Sequence, residues 1–141
     1  MTVKEYLQQY ADAVRIAERL KTEYKDELDQ IDNIRSALGG DGLPKGGGIS
    51  KTVEERAIRL ADKALEYKQA ELDAIRIRQE IFDAISAVPG EKGDVLYERY
   101  INLKSWGEVA KTVGYSKSRT HDLHNEALTL VKVRTQSDTH S

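Results

Sequence analysis

Lys117, Ser118, Arg119, His121, Asp122 and Asn125 place an ammonium, a hydroxyl, a guanidinium, an imidazole, a carboxylate and a carboxamide within nine residues. Such groups bond base edges and phosphates: Lys and Arg reach guanine or a phosphate oxygen, and Asn reaches adenine. Lys117 and Arg119 divide this work, one at a guanine edge or phosphate and the other at a phosphate across the groove lip. Lys104 and Ser105 add a cation and backbone amides at a helix start, where a phosphate is held well. The same set also reads as the polar, solvated face of a small helical domain, since helix pairs with glycine turns are common. His121 and His124 are spaced i, i+3 on one helix, but neither a cysteine nor a third histidine accompanies them, and His140 falls in the tail. We therefore expect no metal. Serine has no histidine partner at a loop apex, and carboxylates pair only as helix-surface charges, so we expect no catalysis and no cofactor.

Two short helices must carry these groups. Ser105 caps the first, and Glu108 three residues on completes a capping box by reaching back to the Ser105 N–H. Gly114 ends it in the left-handed conformation. Tyr115 follows, and Ser116 caps a second helix through Thr120, Leu123 and Leu128. By helical period Thr120, Leu123, Ala127 and Val131 pack on Val109, Ala110, Val113 and Tyr115. Lys117, Ser118, His121, Asp122 and Asn125 are left facing out near the second helix's N-terminus. Trp106 covers the core under the turn. Two helices joined by a glycine turn describe a helix-turn-helix, whose second helix enters the DNA major groove.

Leu96-Tyr97-Glu98-Arg99-Tyr100, Ser105-Trp106-Gly107-Glu108-Val109-Ala110, Gly114-Tyr115-Ser116 and His124-Asn125-Glu126-Ala127-Leu128 resemble region four of bacterial sigma factors. The chain is more closely similar to the ArpU/RinA-type phage late-transcription regulators, over about residues 40 to 131, including the Gly42–Ser50 loop. That resemblance implies double-stranded DNA as ligand, host RNA polymerase as a partner, and residence in the cytoplasm of a bacterial host cell. It also implies that Lys117, Ser118, His121 and Asp122 occupy base-reading positions. His121 stands where sigma-type helices often carry arginine.

The chain has 141 residues, 39% hydrophobic and 33% charged, with one Trp, one Phe and no cysteine. This is lean for a deep core and fits long helices with a narrow apolar seam. Disulfides and thiolate chemistry are excluded. No apolar run approaches membrane-spanning length, and Met1-Thr2-Val3-Lys4-Glu5 begins no signal peptide, so we expect a cytoplasmic protein with no membrane partner. Net charge is −2, but residues 95–134 carry net +3 and residues 1–94 net −4. A basic segment on an acidic one suits a protein that touches phosphate with one end only.

Val3, Tyr6, Tyr10, Ala13, Ala17, Leu20, Tyr24, Leu28, Ile31, Ile34 and Leu38 alternate by three and four, the seam of a coiled coil or long bundle helix. Six of the twelve residues from Gly39 to Ser50 are glycine, and Pro44 is among the rest. That stretch breaks the helix as a flexible connector or as an ordered loop meeting a partner. Ser50 or Thr52 caps a second long helix whose apolar positions are Val53, Ala57, Leu60, Ala64, Tyr67, Ile75, Ile81, Phe82, Ile85 and Val88. Pro89-Gly90 ends it, and Gly93 frees the chain for a short helix from Asp94.

We expect an all-α chain: a long antiparallel, coiled-coil-like hairpin over 1–88 with its Gly-rich loop at 39–50, a helix-turn-helix domain over 89–134, and a disordered tail at 135–141. The long helices close within one chain or make a homodimer or higher oligomer. Function is then a sequence-specific DNA-binding transcription regulator working with host RNA polymerase on late genes. The alternative is a protein–protein adaptor that binds polymerase or another regulator without reading DNA.

Overall fold

A computed structural model describes residues 1–37 and 47–133, with 47–50 as backbone alone. The expected connector at 39–46 and the tail at 135–141 lie outside these residues. Among the described residues the chain is helical, with no strand. Its helices are α1 (Val3–Ala37), α2 (Gly47–Ser86), α3 (Gly90–Leu96), α4 (Trp106–Val113) and α5 (Lys117–Leu128), with a π-helical turn at Tyr97–Ile101 after α3. Contacts divide the chain into two compact units, 14–73 and 1–13 with 74–141.

Neither proline nor glycine falls inside α1, and the Thr2 hydroxyl caps its start by accepting from the Glu5 N–H at 3.1 Å. In the unit of residues 14–73, α1 and α2 pack as an antiparallel hairpin. Arg56 pairs with Gln30, Arg59 with Glu27, Lys63 with Glu23 and Tyr67 with Tyr24, one partner rising in number as the other falls. The Tyr24 and Tyr67 rings stack with centroids 6.2 Å apart. Ala17, Ile31 and Ala70 are buried in this seam.

Two expectations for α2 are corrected. The helix begins at Gly47, ahead of Ser50 and Thr52, so neither is the cap and four residues of the expected loop are helical. Ala57, Ile75 and Phe82 are exposed. The inward face instead repeats every seven residues, through half-buried Val53, Leu60 and Tyr67 and buried Ala74 and Ile81, to Val88 just past the helix end. Ile75 and Phe82 each follow one of these positions and so point about 100° away from it.

The other unit builds its core from Leu7, Ile81, Ile85, Val88, Leu96, Tyr100, Ile101, Ala127 and Val131. A second cluster of Val95, Val109 and Leu123 is flanked by Trp106 and Val113. Gly93 is not a hinge ahead of a helix. It lies inside α3, which Pro89 precedes as N-cap, and it is buried because the backbone of Val88 passes against it. The π-helical turn closes with the Asn102 N–H donating to the Tyr97 carbonyl at 3.1 Å. Leu103 follows with φ 56°, a left-handed conformation that a leucine rarely adopts.

Candidate nucleic-acid interface

Local capping sets the α4–α5 pair. Ser105 Oγ accepts from the Glu108 N–H at 3.3 Å, and Ser116 Oγ accepts from the Arg119 N–H at 3.1 Å. The reciprocal half of the first box differs from expectation. Glu108 Oε1 accepts the Ser105 hydroxyl at 3.0 Å rather than the Ser105 N–H. Gly114 takes φ 80°, and its N–H donates to the Ala110 carbonyl at 2.9 Å, closing α4. The turn residues Gly114–Ser116 then hand the chain to α5.

Thr120, Leu123, His124 and Ala127 form the buried side of α5. Val131 is also buried, just past the end of the helix. Lys117, Ser118, Arg119, His121, Asp122 and Asn125 are all exposed, so the polar groups do share the outward side. Tyr115, expected in the core, is exposed instead, and its hydroxyl donates to Glu91. That acceptor sits in α3, outside the helix pair from which its packing was read.

The structure gives individual groups more definite surroundings than spacing could. The Lys117 stem lies over the first turn of α4, where a side chain on Gly107 would come 3.4 Å from its Cε. Lys104 Nζ pairs with Glu98 at 2.7 Å and lies 3.4 Å from the Thr112 hydroxyl. Bonds from Asn102 and Lys104 hold the Glu98 carboxyl below its ordinary range. The cation beside Ser105 is thus partly neutralised.

Trp106 is the hub beneath this surface. The His121 ring lies 4.4 Å from it, the His124 ring meets it edge-on at 4.7 Å, and the Arg99 guanidinium lies 4.7 Å from its centroid. Arg99 also donates to the Lys104 carbonyl at 2.9 Å, tying the π-helical turn to the start of α4. His124 Nε2 and Tyr100 Oη are 2.6 Å apart in the buried interior. Burial, then the nearby charges of Lys4 and His121, push the His124 pKa down to about 4, and burial pushes the Tyr100 hydroxyl up to about 12.

Outside the motifs that carry the resemblance, sequence reasoning considered His124 only as a partner of His121 and gave Arg99 no role. The signal was present: Thr120, Leu123 and Ala127 already define the inward face of α5, and His124 lies on it. His124 and His121 meet Trp106 from different sides. Among the described residues no group of three His, Cys, Asp or Glu stands together as metal ligands, and no helix is long and apolar enough to cross a membrane. Comparison with known proteins found no matching family model, no similar curated protein and no similar solved structure.

Proposed function

We propose that this chain is a sequence-specific DNA-binding transcription regulator in which α4 and α5 act as a helix-turn-helix and α5 reads the major groove. The observation that carries the reading is the exposed cluster of Lys117, Ser118, Arg119, His121, Asp122 and Asn125 on the first two and a half turns of a capped helix. Groups at the start of such a helix reach base edges, while a preceding short helix meets the backbone. The net +3 of residues 95–134 supports phosphate contact. On the ArpU/RinA resemblance, the sites are phage or prophage late promoters and the protein positions host RNA polymerase there.

The test is retention of fragments of the source genome by the full chain at physiological salt, followed by affinity for the enriched site. One short intergenic site is expected. Lys117→Ala should weaken it by about 1–3 kcal/mol if a base contact is lost, or lower the salt slope by about one if a phosphate contact is lost. Unchanged affinity and slope would falsify this reading face.

The adaptor reading is favoured by the chain's net charge of −2 and by the capture of Lys104 by Glu98. Salt separates the two. Phosphate neutralisation gives a steep log–log dependence on salt, and retention of no fragment, or of all equally, would favour polymerase docking.

A further inference from the structure

The side of α2 turned away from α1 carries a second apolar row. Ile58, Leu65, Leu72, Ile75 and Phe82 are 59%, 70%, 60%, 65% and 37% exposed, Phe82 least because its ring meets Tyr97 edge-on. Their spacing is not random. Ile58, Leu65 and Leu72 are seven apart, Ala61 and Ile75 fall three residues after Ile58 and Leu72, and Phe82 falls seven after Ile75. This is the three-four alternation of a coiled-coil seam, repeated on one helix in addition to the seam that α2 uses against α1. Scattered exposed leucines need no explanation, but a heptad row of them does.

We propose that this row is a dimer interface, in which α2 of two copies of the chain pack parallel and in register. The charges flanking the row identify the occupant. In a parallel pair each residue just before the Ile58-type positions faces the residue five further along the other copy. Glu71 then faces Arg76 of the second copy and Arg78 faces Asp83, twice each by symmetry, so four opposite-charge contacts flank the row against the single Lys68–Lys68 approach inside it. An antiparallel pair that overlaps the same row, Ile58 against Phe82, sets Glu71 against Glu71, which offsets the Asp62–Arg76 contacts it gains.

The groups involved hold partners along α2 itself: Glu71 also accepts the Tyr67 hydroxyl at 3.0 Å, and Asp83 accepts from Gln79 at 2.8 Å. Arg76 holds Glu80 at 3.2 Å and Glu71 takes Lys68 at 3.5 Å, both exposed pairs within one helix, which are individually weak. Lys68 and Gln79 fall at inner positions of the row. Polar inner residues fix register at a cost in stability, and the lysine stem carries its ammonium outward toward Glu71.

Sedimentation equilibrium of the full chain should give a dimer. Leu65→Glu with Leu72→Glu should give a monomer of unchanged helical circular dichroism, because both side chains point to solvent in one copy. Glu71→Arg should weaken the dimer, and adding Arg76→Glu should restore it. The chain lacks cysteine, so Leu72→Cys should form a disulfide-linked dimer on mild oxidation only if Leu72 meets itself. A monomeric wild-type chain, or a dimer indifferent to Leu65 and Leu72, overturns the interface. A dimer that Leu72→Cys fails to cross-link overturns the parallel pairing.

Discussion

A methyl group on Gly93 would sit 2.1 Å from the carbonyl oxygen of Val88 and 3.1 Å from its carbon. Both are backbone atoms, so no side chain can swing aside, and α3 must shift away from the end of α2. Gly93→Ala should therefore cost about 1–3 kcal/mol, the usual penalty of overpacking. Chemical denaturation followed by Trp106 fluorescence measures it; an unchanged midpoint would mean that the Pro89 turn yields freely. Gly114 makes the contrast. Nothing lies within 4 Å of a Cβ there, and its requirement is the left-handed φ of 80° alone. That requirement was readable in the sequence, because a cap glycine between two apolar periods is a local signal. The need at Gly93 was not, because it arises from the path of the chain through the Val88–Pro89 turn. Tyr115 failed to read for a related reason: period alone does not reveal that Glu91 stands ready to hold its hydroxyl at the surface.

At the scale of elements, the two long helices and the capped short pair were legible because each rests on periodicity or on a cap of three or four residues. What periodicity blurred was the face. Counting only apolar residues drew Leu28 into the α1 seam, while the half-buried neighbour Glu27 also turns inward there. Its Oε2 is buried without a hydrogen-bond partner among the described residues, and Oε1 lies 4.0 Å from the exposed Arg59. Likewise Arg56 and Lys63, three residues after Val53 and Leu60, pair across the hairpin, although the apolar pattern of α2 passes them by for Ala57 and Ala64. A carboxylate so placed is desolvated with little return, since an exposed pair at that distance contributes little. Glu27→Leu should raise hairpin stability by about 1 kcal/mol, near the low end for replacing a poorly satisfied charge. Urea unfolding followed by far-ultraviolet circular dichroism reads this directly. A lower midpoint would show that Glu27 instead fixes the register of the hairpin.

For the whole molecule, the two units differ in what acid does to them. Residues 14–73 contain no histidine, whereas the other unit buries His124 against Tyr100 and Trp106. In the folded chain His124 stays neutral down to about pH 4, against an ordinary value of 6.5. The unfolded chain therefore binds the proton first. Stability is fully present above pH 6.5 and is lost as pH falls toward 4, by about 3 kcal/mol for a shift of that size. Glu98, held low by Asn102 and Lys104, adds a further loss below the ordinary carboxylate value of 4.5. Both groups belong to the unit that holds Trp106, the only tryptophan of the chain. Its fluorescence transition in urea should therefore move to lower urea between pH 6.5 and 4, more steeply than the circular dichroism of the chain as a whole. His124→Gln, which cannot take the charge, should flatten that dependence even though it loses stability at neutral pH with the Tyr100 contact. If the variant keeps the wild-type slope, acid acts elsewhere and the buried imidazole is not what couples this unit to pH.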